Sequence, residues 1–414
     1  MAGGFPTGHS FCERGVVVGV LAGYRIIDMT TVLAGPLGVY QLALLGADVI
    51  KVEVPGTGDV ARDFGADADL RERQMGPSFL ASNSQKSSVT INLKSEGGRE
   101  AFRRLVRASD ALVENMRPGV LARLGFSPDE LLTLNPDLVY CSLTGFGSSG
   151  PLAQYPAYDQ IIQGLAGMAS VTGFPDGDGV RVGFPVCDAL GGYVAALAVA
   201  AGLANTASPR GVYLDVAMLD AALSAMSWVS SEALFGRHPR RIGNDNAASS
   251  PSGTFYAADG PLNIATNTLE QFRTLCLVVG RDDLPDDPRF ATREDRKARR
   301  SELSALLNEA LSLRTVEEWV AELAAAGVPS GPLLEVPDAL HQPQIRSREL
   351  VHQVTLPGPD SRQVSVLGSP IHVNGEPLRP ERAPAELGSD TERVLLDVGC
   401  QPEEIARWRE EGAI

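Results

Sequence analysis

Short apolar runs alternate with amphipathic stretches over the first half of the chain. Residues 24–29 read as a strand, Pro36 opens a helical stretch that closes near Gly46, and residues 47–53 read as the next strand, which together make a βαβ unit. The pattern then repeats. A strand at 88–93 leads to an amphipathic helix from about Ser95 to Arg107, with Phe102, Leu105 and Val106 on one side, and a further strand follows at 111–114. Ser127 and Glu130 form a capping box ahead of Leu131, and residues 138–143 read as another strand. Such alternation predicts an α/β fold: a parallel, helix-covered, Rossmann-like sheet. Residues 193–204, nearly all small and apolar, predict a buried helix.

The texture changes after about residue 225. Residues 254–256, the turn Asp259-Gly260 and residues 262–265 suggest a small antiparallel element, and charged helical stretches follow at 269–279, 301–312 and 316–326. The expected organisation is a leader at 1–20, the first part of a large domain at 21–210, a smaller α+β domain at 225–330, and a linker and return to the large domain at 331–414. No internal repeat or low-complexity tract interrupts it.

A chain of 414 residues with 44% hydrophobic content can bury a large core. Its net charge of -15 argues against nucleic-acid binding, which needs a basic footprint. The longest apolar run, 193–204, is shorter than the roughly 20 residues of a membrane span, so no membrane association is expected. Five scattered cysteines (Cys12, Cys141, Cys187, Cys276 and Cys400), with no C-x-x-C pair, point to a reducing cytoplasm and no structural metal.

The loop after the first strand, Thr30-Thr-Val-Leu-Ala-Gly-Pro36, is neither a dinucleotide fingerprint nor a P-loop, which disfavours a dehydrogenase. The strongest candidate for chemistry is Asp188. It lies just ahead of the apolar helix and can be read either as the N-cap of that helix or as a carboxylate nucleophile. Gly191 and Gly192 follow it, each costing a helix interior about 1 kcal/mol relative to alanine, and so imply close approach by a ligand or by another backbone. Cys187 has no evident base to activate it, which favours a packing role.

Several separated segments together resemble the class III CoA-transferase family, which also contains the α-methylacyl-CoA racemases. They include Asp28-Met-Thr-Thr-Val-Leu-Ala-Gly-Pro36, Gly46-Ala-Asp-Val-Ile-Lys-Val-Glu53 with Gly58-Asp59 and Arg62, and residues 86–94. Val113-Glu-Asn115 with Arg117-Pro118-Gly119, Thr144-Gly-Phe-Gly147, Tyr158-Asp159, residues 182–188 and Asp287-Pro-Arg-Phe290 continue the match, which spans roughly 23–410. The resemblance implies an interlocked homodimer whose Rossmann-like large domain is built from both ends of the chain, with a small domain between. It implies no tightly bound cofactor; coenzyme A enters as the thioester substrate, and an acyl-CoA and a small carboxylic acid are the partners.

The same resemblance places Asp188 at the family's nucleophile. Tyr158 stands where the racemases carry a proton-transferring histidine, which favours transfer; racemase and non-catalytic CoA-binding roles are the alternatives. A tyrosine near pKa 10 is a poor base at neutral pH, so Tyr158 is expected to donate a hydrogen bond or shape the pocket. Asp159 is read as orienting Tyr158 or the substrate, or as a turn or cap. For CoA the family suggests Thr31, Val32, Leu33 and Ala34, then Ile91 and Lys94, Asn115 and Met116, and Arg123 and Leu124, with Lys94 and Arg123 as the cations. Arg62 is read as structural or as facing the cleft. Leu33 replaces a glutamine of formyl-CoA transferase, and the glycine-rich loop of that enzyme is not evident around 243–253. Both departures make oxalate less favoured, and the likeness of residues 244–276 to family members acting on small dicarboxylates points to succinate, mesaconate, itaconate or citramalate.

Overall fold

The chain's apolar runs close into a six-stranded, all-parallel sheet in a computed structural model that describes residues 19–358 and 361–414. The expected leader therefore lies almost wholly outside the described residues. In chain order the elements of this region include β1 (Arg25–Met29), α1 (Ala34–Leu44), β2 (Asp48–Glu53), β3 (Ser87–Thr90), α2 (Glu96–Arg107), β4 (Ala111–Glu114), β5 (Val139–Thr144), α3 (Asp159–Leu165), α4 (Val186–Leu203), β6 (Val212–Ala217) and α5 (Met218–Ala225). The strand order is β3-β2-β1-β4-β5-β6, the doubly wound Rossmann order. Every residue of β4 and β5 is buried, as expected for strands with both faces covered.

Helix α2 shows why the pattern was legible. The Ser95 hydroxyl accepts the Gly98 N–H at 3.0 Å as its cap, and Ala101, Phe102, Leu105 and Val106 turn into the core, where Phe102 meets Phe126 edge-on at 4.8 Å. The tail adds a hairpin, then two helices that contribute Leu395, Ile405 and Trp408 to the same core. Both ends of the chain thus build one unit, made of the described residues up to Ala166, Phe184–Ser227 and Pro343–Ile414.

The second unit comprises Gly167–Gly183 and Trp228–Gln342. Its antiparallel sheet joins β7 (Ser252–Tyr256), β8 (Pro261–Ala265) and β9 (Ser330–Pro332), and its own core includes Phe255, Phe272, Phe290 and Trp319. Residues 167–183, which the sequence places with the large domain, join this unit instead.

Helix α4 begins earlier than its apolar run suggests, at Val186, because the turn carrying Asp188 is itself helical. At eighteen residues and mean hydropathy 1.7 it is long and apolar enough to cross a membrane by composition alone. Here it packs against α1 and β5, so its apolar character serves a protein interior on that side.

Candidate active site

The strand order reverses between β1 and β4, and open parallel sheets gather ligands at the carboxyl ends of the strands flanking such a point. β1 leads into Thr31–Ala34, β4 into Asn115–Pro118, β5 ends at Thr144, and β6 runs into Met218. Residues from all four strand ends, with Tyr155, Tyr158 and Asp188, line a pocket of about 230 Å³. The sequence-predicted nucleophile, its tyrosine partner and the predicted CoA loop therefore meet in one place.

Asp188 is not the N-cap of α4. Pro185 holds that position and has no side chain to cap with, while Asp188 is the third helical residue. The cap comes from another helix. Asp159, the first residue of α3 and buried, accepts the Cys187 N–H on Oδ1 at 2.8 Å and the Asp188 N–H on the same oxygen at 3.4 Å. Gln163, fully buried, holds Asp159 Oδ2 at 2.7 Å. Asp159 is thus anchored to the helix that carries Asp188 and does not line the pocket.

Burial, and secondarily the Asp159 charge, push the Asp188 carboxyl up to about 6. It is a more basic carboxylate than a solvated aspartate. Burial, with both neighbouring carboxylates, pushes the Cys187 thiol up to about 12, so this buried residue is a packing group and not a thiolate. Tyr158 is 71% exposed and lines the pocket.

Gly191 and Gly192 pack closely against protein atoms, which favours close approach by another backbone over approach by a ligand. A Cβ on Gly192 would lie 2.3 Å from the Ala34 carbonyl oxygen, one on Gly38 of α1 would lie 2.2 Å from the Gly192 oxygen, and one on Gly191 would meet Met218 at 3.0 Å. Helices α1 and α4 touch backbone to backbone, which only glycine permits.

The Thr31–Ala34 segment is held from two sides. Asn115 pairs with the Thr31 backbone in both directions, its Oδ1 accepting the N–H and its Nδ2 donating to the carbonyl, each at 2.9 Å. Asp59 Oδ1 accepts the Val32 N–H at 3.0 Å. Val32 has φ +70°, a left-handed conformation that for a β-branched residue costs on the order of 1–3 kcal/mol. Behind the loop lies a buried charge network. Lys51 Nζ donates to the Thr30 carbonyl at 2.7 Å and pairs with Asp59 at 3.0 Å, and Lys86 pairs with Asp28 at 2.8 Å. Burial alone would raise Asp28, but the two lysines overcome it and hold its carboxyl at about 2. Arg62 belongs to this structural layer and not to the cleft: its guanidinium grips both oxygens of Glu53 at 2.7 Å and stacks on Phe79 at 3.8 Å.

The remaining predicted CoA residues divide. Met116 lines the pocket, whereas Ile91 is buried in the core of the first unit and Lys94 is exposed outside the pocket lining. Arg123 lines a second pocket of about 540 Å³ that shares Arg117 and Pro118 with the first, and Leu124 packs against the core. Arg117, Tyr155 and Met218 line the first pocket without having been singled out from the sequence. For Arg117 the signal was present in Arg117-Pro118-Gly119; nothing local marks the other two.

Comparison with known proteins agrees with this geometry. The profile of CoA-transferase family III matches residues 21–391. The chain is 40% identical to the acetyl-CoA:oxalate CoA-transferase of Acetobacter aceti, over 86% of this chain and 90% of that one. It is 35% identical to the succinate–glutarate CoA-transferase of Agrobacterium fabrum (strain C58 / ATCC 33970), over 91% and 95% respectively. A crystal structure of a CAIB/BAIF family protein from Brucella suis superposes with a TM-score of 0.78 at 32% identity, covering 92% of this chain and 99% of that one. With the profile spanning most of the chain and relatives matched nearly end to end, this protein belongs to CoA-transferase family III.

Proposed function

We propose that the protein moves CoA from an acyl-CoA donor to a short dicarboxylic acid, with Asp188 as the covalent nucleophile. The observation that carries this reading is the Asp188 carboxylate in the pocket formed by the Thr31–Ala34 loop and Asn115. An Asp188 oxygen attacks the donor thioester carbonyl, giving a mixed anhydride and releasing CoA thiolate. The thiolate returns to the aspartyl carbonyl, expelling the donor acid and leaving an aspartyl-CoA thioester. The acceptor acid then runs the exchange in reverse and frees Asp188. Thioester energy is conserved at each step so long as water is kept out.

The acids in the relatives' names, oxalate, succinate and glutarate, are all short dicarboxylates, so oxalate stands beside succinate as a test acceptor despite Leu33. Among the described residues no histidine lines the pocket, which leaves a racemase without its usual base. The homodimer remains part of the proposal, supported by the exposed apolar side chains of Leu197 and Tyr193 on α4 and Ile161 and Leu165 on α3. A cytoplasmic setting is supported by four buried cysteines carrying free thiols.

The test is acyl exchange. Pure protein is incubated with succinyl-CoA or acetyl-CoA and a panel of oxalate, succinate, glutarate, mesaconate, itaconate and citramalate, and new thioesters are read by mass spectrometry. Exchange is expected in the native protein and lost in Asp188→Ala; exchange retained by that variant removes the covalent mechanism.

A further inference from the structure

The pocket loop contains a strained residue whose restraint comes from outside the pocket. Val32 lines the pocket at φ +70°, and its N–H is taken by Asp59, a carboxylate that is 1% exposed. Asp59 is itself held by three further contacts. Its Oδ1 also accepts the Ala61 N–H at 3.0 Å, its Oδ2 pairs with Lys51, and its own N–H is held by Glu53 at 2.9 Å. Lys51 in turn holds the Thr30 carbonyl, two residues before Val32. One buried ion pair therefore grips the loop on both sides of the Thr31 peptide, while Asn115 closes on Thr31 from β4.

We propose that Asp59 is a positioning residue for the pocket: through Lys51 and the Val32 N–H it holds Val32 in the left-handed conformation and so sets where Leu33 and Ala34 face the substrate. A valine released from this grip relaxes toward negative φ, since its branched Cβ disfavours the left-handed region. That rotation moves the two residues that follow, which line the pocket and start α1. The strain is stored at the site and held by the charge network behind it, so a change at Asp59 reaches the pocket without touching it.

The inference rests on the proposed acyl exchange for one of its readouts and is independent of it for the other. A double-mutant cycle on Asp59→Asn and Val32→Gly separates positioning from simple charge pairing, because glycine adopts positive φ without steric cost. In the valine background Asp59→Asn is expected to lower kcat/KM for exchange, and to weaken CoA binding measured by calorimetry, by about tenfold. In the Val32→Gly background the same change is expected to cost less than about threefold. Equal losses in the two backgrounds, or no loss in the first, overturn the proposal, since an ion-pair partner of Lys51 serves alike whatever stands at position 32. If Asp59→Asn does not fold, Asp59→Glu, which keeps the charge and displaces the oxygen, runs through the same cycle. A native protein that binds CoA but exchanges no acyl group sinks the proposed function, and the binding cycle still decides the role of Asp59.

Discussion

Asp159 holds Asp188 by the backbone and acts on it by charge. One oxygen of Asp159 takes the N–H groups of Cys187 and Asp188, and its negative charge adds to burial in raising the Asp188 carboxyl to about 6. Only the ionised form of Asp188 can attack a thioester. The kcat/KM profile is therefore expected to rise with pH through a single limb near 6 and to level above it. Asp159→Asn keeps an oxygen for the Cys187 N–H and removes the charge. The limb should move to lower pH by a fraction of a unit, because burial, the larger cause, remains. A limb that stays in place would mean that the Asp159 charge does not reach the nucleophile.

A raised carboxyl is also a stability statement. The unfolded chain releases the Asp188 proton near 3.8 and the folded one near 6, so between those values the folded state binds more protons and loses stability as pH rises. The deficit persists above pH 6 and vanishes below about 4. Asp188→Asn removes it. Because the side chain is partly exposed, solvent screening cuts the effect to about 1 kcal/mol, or about 2 °C in melting temperature. Calorimetry at pH 8 should show Asp188→Asn melting above the native protein, and at pH 4 the two should coincide. Equal melting at both pH values would place Asp188 in an ordinary solvated environment.

Gly38 and Gly192 set the spacing of α1 and α4. Gly192→Ala drives a methyl to 2.3 Å from the Ala34 carbonyl oxygen, a backbone atom that cannot swing aside. A loss of about 1–3 kcal/mol in urea unfolding is expected, together with lower kcat/KM, because Leu33 and Ala34 move with the start of α1. Unchanged stability and kcat/KM in Gly192→Ala would refute the close-packing account.

What the sequence made legible was periodic or local. The parallel strands read as apolar runs, α2 as a stripe with its Ser95 cap, and Asp188 as an aspartate in a family pattern that lands in the pocket. Its N-cap reading failed because the cap comes from Asp159, twenty-nine positions away, and no local rule links the two. The role of Gly192 needed its partner Gly38, and the strain at Val32 needed a backbone angle. From sequence alone Arg62 stays open and Ile91 is expected at the CoA site for the same reason: burial is a property of the packed unit, and a charged or apolar residue in a motif does not announce which side of the loop it faces.

Arg117 offers the remaining test of how an acidic chain receives an anionic ligand. It lines the pocket with Asp188 and the neighbouring pocket that contains Arg123, makes no ion pair among the described residues, and among them is the one cation lining the pocket with Asp188. In a protein of net charge -15, a CoA thioester needs such a local partner. A charge-assisted hydrogen bond contributes about 1.5–3 kcal/mol, so Arg117→Ala should raise KM for acyl-CoA by roughly tenfold or more while changing kcat little. The variant should also lose part of the salt dependence of KM, since one screened contact has gone. Arg117→Lys keeps the charge without the planar fork and should fall between the two. Initial rates across acyl-CoA and NaCl concentrations decide the matter: an unchanged KM would shift the anion-binding duty to Arg123 on the neighbouring pocket.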